Sequence, residues 1–335
     1  MKRHISSYSV NPIGLGCMNL NHAYGAPPSP EQGERVLLAA LDAGVTLFDT
    51  AALYGLGNNE LLVGRVMKPH RNQFMLCTKG GMAGVDVNGD GKKVRVIDGR
   101  PEAVRRDCEN SLRALQTDVI DLYYLHRWDK KVPIEDSVGA MADMVAKGHV
   151  RAIGLSEVSA ATIKKAHAVH PIAAVQTEYS LWTRNPEIAV LALCREIGAA
   201  FVAFSPVARG FLTDAPPVEA DIAASDIRKT MPRFMGENYA ANLKLLTGFK
   251  ALADEAGCTP AQLSLAWLLH KAPHIIPIPG TRSVAHLQEN MAAASLKLSA
   301  ETMQRAEALI NPQTVVGQRY NAQAISEVDT ENFAA

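Results

Sequence analysis

The sequence is short of several things, and each shortage excludes a class of protein. It has no net charge: Lys+Arg and Asp+Glu number 34 each over 335 residues. A nucleic-acid partner or an anionic membrane surface is therefore not expected. No apolar run approaches the length that spans a bilayer. The opening Met1-Lys2-Arg3-His4-Ile5-Ser6-Ser7 carries charge with no apolar segment behind it, so it does not read as a secretory signal. The five cysteines, at 17, 77, 108, 194 and 258, are scattered and form no CxxC pair. An odd, dispersed set suits reduced thiols in a cytosol better than a disulfide framework, and a cytoplasmic location is expected. Gly14-Leu15-Gly16 lacks the third glycine of GxGxxG, because Asn19 stands in its place. Asp86-Val87-Asn88-Gly89-Asp90-Gly91 imitates half a calcium loop, but the twelfth position is Ile97 instead of Glu, which favours a polar turn over a metal site.

What is present is a rhythm. Val45-Thr46-Leu47-Phe48 reads as a short buried strand that stops on a carboxylate, Asp49, with Tyr54 and Gly55 in the loop beyond. Ser29-Pro30-Glu31-Gln32 starts a helix that runs to about Ala43, with Ser as N-cap and Gln at the capping-box position. Asn58 to Val66 reads as a helix and Gln73 to Lys79 as a strand. A long Gly-rich loop is expected over about residues 80 to 100. From Pro101 a helix carries Val104, Cys108, Leu112 and Leu115 on one face. Pro12-Ile13-Gly14-Leu15-Gly16 reads as a short first strand, and strands near 119–125, 150–155, 172–176, 200–204 and 275–279 alternate with further helices. Residues 207 to about 238, with three prolines, read as a long loop or lid.

Eight short apolar strands, nearly all followed by a helix, imply a parallel sheet closed into a (β/α)8 TIM barrel of α/β class, with long βα loops and extra C-terminal helices. No repeat or linker divides the chain. The expectation is one barrel domain over 1–335, with its core at about 10–310 and a polar, irregular tail from 311 to 335.

In such a barrel the chemistry lies at the carboxyl ends of the strands. Three strand ends are polar: Asp49, Lys79 and His126. Side chains two apart share a strand face. Val45, Leu47 and Asp49 should point one way, as should Met75, Cys77 and Lys79, and Leu122, Tyr124 and His126. With the apolar members inside, the polar ones meet in the mouth, and Tyr54 can swing over it. A buried ammonium beside a phenol should lower the phenol pKa. Asp49 would hold the lysine, and a neutral His126 could bond the oxygen that Tyr54 protonates. This grouping suits proton delivery to a carbonyl oxygen. A barrel metal hydrolase would need several His and carboxylate ligands at strand ends; only His126 qualifies, so no metal is expected.

Over about residues 10 to 310 the sequence resembles the aldo-keto reductase superfamily, in its bacterial and plant branch of general aldehyde and sugar-type reductases. The resemblance rests on Phe48-Asp49-Thr50-Ala51 with Tyr54-Gly55, Thr78-Lys79, Asp121-Leu122-Tyr123-Tyr124-Leu125-His126, Ile153-Gly154-Leu155-Ser156, Val175-Gln176, Phe204-Ser205-Pro206, and Ile278-Pro279-Gly280-Thr281-Arg282 with Glu289-Asn290. It implies a catalytic tetrad of Asp49, Tyr54, Lys79 and His126, with Tyr54 as proton donor to an aldehyde or ketone. It implies NADPH extended across the mouth. Ser156 and Gln176 should bind the carboxamide, and Phe204 should stack on the nicotinamide. Ser205, Val207, Arg209 and Gly210 should follow the pyrophosphate. Gly280, Thr281, Arg282, His286, Glu289 and Asn290 should hold the adenosine end, with Arg282 suited to a 2′-phosphate.

Three positions depart from the pattern. Glu157 stands where many members have Asn, and Phe204 replaces the commoner Tyr or Trp. His286 stands where many NADPH users have Arg, which weakens the phosphate clamp and leaves NADH use open. Met18, Tyr24, Arg127 and Trp128 are the candidates for the substrate pocket, with Trp182 a possible addition. The partner is a small carbonyl or alcohol compound; nothing in the sequence sets an oligomeric state. The same superfamily offers an alternative, a cofactor-binding regulatory subunit with little turnover.

Overall fold

In the computed structural model, which describes residues 2–333, the chain begins with an antiparallel hairpin, β1 (Arg3–Ile5) and β2 (Tyr8–Val10). The sequence reading placed no strand there, since Arg3–Ile5 and Tyr8–Val10 mix charged, polar and apolar residues with no continuous apolar run. It closes the amino end of a barrel. Ile5 and Val10 are buried against the barrel interior, and Tyr8 Oη donates to Asp121 Oδ1 at 2.8 Å.

Among the described residues eight parallel strands then form one sheet. They are β3 (Leu15–Gly16), β4 (Leu47–Asp49), β5 (Met75–Gly80), β8 (Ile120–Leu125), β9 (Val150–Ser156), β10 (Ile172–Glu178), β11 (Ala200–Phe204) and β12 (Ile275–Pro277), with β6 (Met82–Asp86) and β7 (Lys93–Ile97) outside it. Each strand pairs with the next of the eight. Gly14 N donates to Pro277 O at 3.0 Å and Gly16 N to Pro279 O at 3.2 Å, so the last strand meets the first and the ring closes. This is the (β/α)8 barrel expected from the alternation.

Leu47, Met75, Cys77, Leu122, Tyr124, Ala152, Ala174, Val202 and Ile276 fill the interior. The intervening residues Phe48, Leu76, Tyr123, Ile153, Val175 and Phe201 face outward into the helix layer. Val45 belongs to that outer layer too, not to the interior row assigned to it. It precedes β4, so the two-residue alternation does not yet apply.

The helices keep the expected order: α1 (Pro30–Asp42), α2 (Asn58–Met67), α3 (Pro101–Ala114), α4 (Ile134–Ala146), α5 (Ala160–Val169), α6 (Val190–Glu196), α7 (Gly236–Glu255), α8 (Pro260–Lys271), α9 (Val284–Ala292) and α10 (Ala300–Leu309), and a short α11 (Ala322–Ser326) forms in the tail expected to be irregular. The Thr259–Gln262 capping box forms in full. At α1, Ser29 caps Gln32 N, but the Gln32 side chain instead donates to Arg282 O at 2.8 Å, tying α1 to the loop before α9.

Two segments differ from expectation. Residues 80–100 form the antiparallel hairpin β6–β7 instead of a loop. Its polar turn is as anticipated: Asp86 accepts from the backbone N–H of Gly89, Asp90 and Gly91. The tail is not loose. Asn321 caps α11, and Asp329 accepts from Ser159 N, Ser159 Oγ and Thr162 Oγ1 at the start of α5. No helix among the described residues is long and apolar enough to cross a membrane.

Candidate active site

Strand register brings the polar ends together. Asp49 pairs with Cys77 across β4–β5, so Lys79 stands one inward step beyond it. Lys79 in turn pairs with Tyr124 across β5–β8, which sets His126 one inward step further on. Lys79 Nζ donates to an Asp49 carboxylate oxygen, to Thr50 O at 2.7 Å and to Tyr54 Oη at 3.2 Å. Gln176 Nε2 donates to the other Asp49 oxygen at 2.8 Å. The Tyr54 and His126 rings meet edge to face, with centroids 5.8 Å apart. All five side chains are buried. The phenol oxygen accepts from Lys79, so the phenol keeps its own proton for a different partner.

The charges settle as follows. Burial raises the Tyr54 phenol above its usual value; Lys79 pulls it down, and Asp49 pushes it up again. The net lowering expected from sequence is therefore absent, because desolvation is the larger effect and the ammonium is already paired. Burial works against the Lys79 ammonium, but Asp49 and Tyr54 together hold it above its ordinary value. Burial pushes the Asp49 carboxyl up, opposed by Lys79 and Gln176. Burial, and then the charges of Lys79 and Arg127, hold His126 well below the ordinary histidine value. Its imidazole is neutral, and its buried Nδ1 has no partner among the described residues.

Above this group lies a cleft of about 900 Å³. Asp49, Tyr54 and His126 line it, with Lys79 buried behind them. So do the thirteen residues assigned to the cofactor. Ser156, Gln176 and Phe204 line it at the ends of β9, β10 and β11. Ser205, Val207, Arg209 and Gly210 line it from the turn after β11. Gly280, Thr281, Arg282, His286, Glu289 and Asn290 line it at the start of α9. Ser205, Ala208 and Arg209 all take positive φ there, coiling the chain tightly at a cost of about 1–2 kcal/mol each. Arg209 is anchored from below, donating to Glu178 Oε2 at 2.6 Å and to Tyr320 Oη at 3.0 Å.

Of the substrate-pocket candidates, Met18, Tyr24 and Arg127 line the cleft. Trp128 does not. Its indole N–H donates to Val132 O at 2.7 Å, and the ring packs on the core under its own loop. Trp182 is also elsewhere, stacked with Phe234 and edge-on to Phe211.

The sequence reading missed several walls. Met82 and Arg95 reach the cleft from the hairpin β6–β7, and Ile227 and Arg228 from the 207–238 excursion. Tyr320, Gln323, Ala324, Glu327 and Val328 come from the tail. Arg95 pairs with Glu327 across the mouth, Nη1 to Oε1 at 3.0 Å. Ile227 N donates to Ala23 O at 2.9 Å, and the Arg228 guanidinium lies over the Tyr24 ring, so the excursion does lie across the cleft. Glu157, noted as a departure, faces away from the cleft and pairs with Arg319. Among the described residues no three His, Cys, Asp or Glu side chains are grouped to hold a metal.

The profile described as the Aldo/keto reductase family matches residues 12–311. The chain is 41% identical over 321 residues to the "Probable aldo-keto reductase 1" of Glycine max, covering 96% of this chain and 91% of that protein. Among solved structures it is similar to the glycerol dehydrogenase AKR11B4 from Gluconobacter oxydans, with TM-score 0.85 and 26% identity over 96% of this chain and 98% of that one. It is also similar to an aldo/keto reductase from Klebsiella pneumoniae in complex with NADP and acetate, with TM-score 0.68 and 27% identity over 95% and 97% of the two chains.

Proposed function

The chain belongs to the aldo/keto reductase family, and on that premise we propose that it reduces an aldehyde or ketone to the alcohol, reversibly, with NADPH as cofactor and Tyr54 as proton donor. One observation carries the reading. Lys79 donates to the phenol oxygen of Tyr54 while Asp49 holds Lys79, so the phenol proton is left for the cleft.

The residues present fit the cofactor. Arg282 has no salt bridge among the described residues and stands just before the Ser283 cap of α9, where a phosphate is favoured. The Ser156 hydroxyl and the Gln176 amide offer polar groups to a carboxamide, and Phe204 offers an aromatic face. The backbone turn at Ser205, Val207, Arg209 and Gly210 would hold the pyrophosphate. Gly280, Thr281, His286, Glu289 and Asn290 would hold the adenosine end. When bound, NADPH supplies the hydride.

The chain's own residues do the rest. A carbonyl oxygen held between Tyr54 Oη and the neutral His126 imidazole accepts the phenol proton as negative charge develops on it. The phenolate left behind is stabilised by Lys79 at 3.2 Å. Asp49 keeps that ammonium charged and in place, and Gln176 fixes Asp49. In the oxidative direction Tyr54 takes the proton back.

Purified protein mixed with NADPH and a panel of aldehydes tests this reading. Aldehyde-dependent NADPH oxidation is expected; its absence across the panel would overturn it.

A further inference from the structure

Among the described residues five arginines line the cleft. Three are matched by a carboxylate. Arg95 pairs with Glu327, Arg209 with Glu178 at 2.6 Å and Arg228 with Asp226 at 2.7 Å. Arg127 and Arg282 form no salt bridge among the described residues. Arg282 stands at the end assigned above to the cofactor's phosphate. Arg127 stands at the other, reacting end, next in sequence to His126.

Arg127 is half-buried, and its contacts use a single nitrogen. Nη1 donates to His126 O at 2.8 Å and to Ser156 Oγ at 3.2 Å. Those two bonds fix the guanidinium plane at the mouth and leave Nη2 and Nε without a partner among the described residues. Its charge is felt at the reacting groups, favouring the Tyr54 phenolate and opposing protonation of His126. The nearby carboxylates are already engaged. Asp49 holds Lys79 and Gln176, while Glu327 holds Arg95 and Gln323. His22, stacked 6.1 Å from Tyr54, is held below its ordinary value by burial and then by Arg95, so it is neutral. The reacting end therefore carries one unanswered positive charge, oriented by two hydrogen bonds. A guanidinium with a free edge matches a planar oxyanion in two-point geometry.

Resting on the reductase reading above, we propose that Arg127 determines specificity by binding a carboxylate on the carbonyl substrate, and that the preferred substrates are short aldehyde or ketone acids.

Two measurements on the full chain keep this assignment separate from the reductase reading. In the first, kcat/KM with NADPH is compared for 4-oxobutanoate and its neutral methyl ester, in wild type, Arg127→Met and Arg127→Lys. Wild type should favour the acid by about tenfold or more, mainly through KM. Arg127→Met should abolish that preference and Arg127→Lys should retain part of it. Turnover of the ester reports on the reductase reading by itself. In the second, butanoate is titrated calorimetrically into protein loaded with NADP+. This detects carboxylate binding whether or not any aldehyde turns over. Binding to wild type that weakens about tenfold in Arg127→Met supports the assignment. Equal acid and ester preference in wild type, or butanoate affinity that Arg127→Met does not change, overturns it.

Discussion

Arg319 and Glu157 meet in a buried two-point ion pair, Nη1 to Oε1 at 3.1 Å and Nη2 to Oε2 at 2.6 Å, across 162 residues of sequence. Arg319 Nη2 also donates to Thr330 Oγ1 at 2.9 Å. The pair pins the tail to the end of β9, and with it the wall formed by Tyr320 and Glu327. Glu178, which pairs with Arg209, lies 3.8 Å from Arg319 Nη1, so two buried carboxylates share the positive charge above them.

Removing that charge should be costly. Arg319→Met leaves Glu157 buried and unpaired beside Glu178, at a cost of about 3–5 kcal/mol. Urea unfolding at neutral pH measures this as a lower midpoint. An unchanged midpoint would show that the tail is not held this way.

A second buried carboxyl sets a pH dependence. Glu60 on α2 accepts from Thr78 Oγ1 at 2.6 Å, and burial, against that bond, pushes its carboxyl up to about 7. A carboxyl raised in the fold gives its full stabilisation below its unfolded value of 4.5, and loses it as pH rises through about 7. The loss amounts to about 3 kcal/mol. Relative to wild type, Glu60→Gln should therefore gain about 3 kcal/mol between about pH 4 and about pH 8. Urea unfolding at both pH values checks this, and a difference that does not vary with pH would contradict it.

The imidazole of His126 should stay neutral at pH 6, where an unperturbed histidine near 6.5 is mostly protonated. Burial is the main cause, with Lys79 and Arg127 adding to it. Ring-nitrogen NMR shifts report the charge directly. A His126 titration centred near 6.5 would mean that water reaches the ring.

Arg282 should set the cofactor preference. Its Nη1 donates to Ala26 O at 2.9 Å, which orients the guanidinium at the end of the cleft proposed for the adenosine. Arg282→Met should weaken NADPH by about 10- to 100-fold, the worth of one or two charge-assisted hydrogen bonds, and leave NADH within about twofold. Fluorescence titration with both nucleotides decides it. Equal weakening of the two would remove Arg282 from phosphate recognition.

The barrel was legible because its strands are apolar, short and regularly spaced, and because Asp49, Lys79 and His126 break that pattern at their ends. The walls of the cleft were not. The hairpin β6–β7 lies outside the barrel sheet, and the alternation of Lys93-Val94-Arg95-Val96 in its second strand is short and follows a run of glycines that reads as loop. The tail looks polar and irregular until Arg319 finds Glu157 and Asp329 finds Ser159, and such distant pairings leave no periodic mark. Trp128 was misplaced because proximity to His126 in sequence says nothing about which way an indole turns. Arg127, the next residue back, does face the cleft.

The most direct test of the account is one turnover of hydride transfer. Protein preloaded with NADPH is mixed rapidly with an aldehyde, for wild type and Tyr54→Phe. The rate of nicotinamide oxidation should fall by about 10²-fold or more in the variant, while its affinity for NADPH stays within about twofold. A variant that transfers hydride at the wild-type rate would contradict the assignment of Tyr54 as the acid.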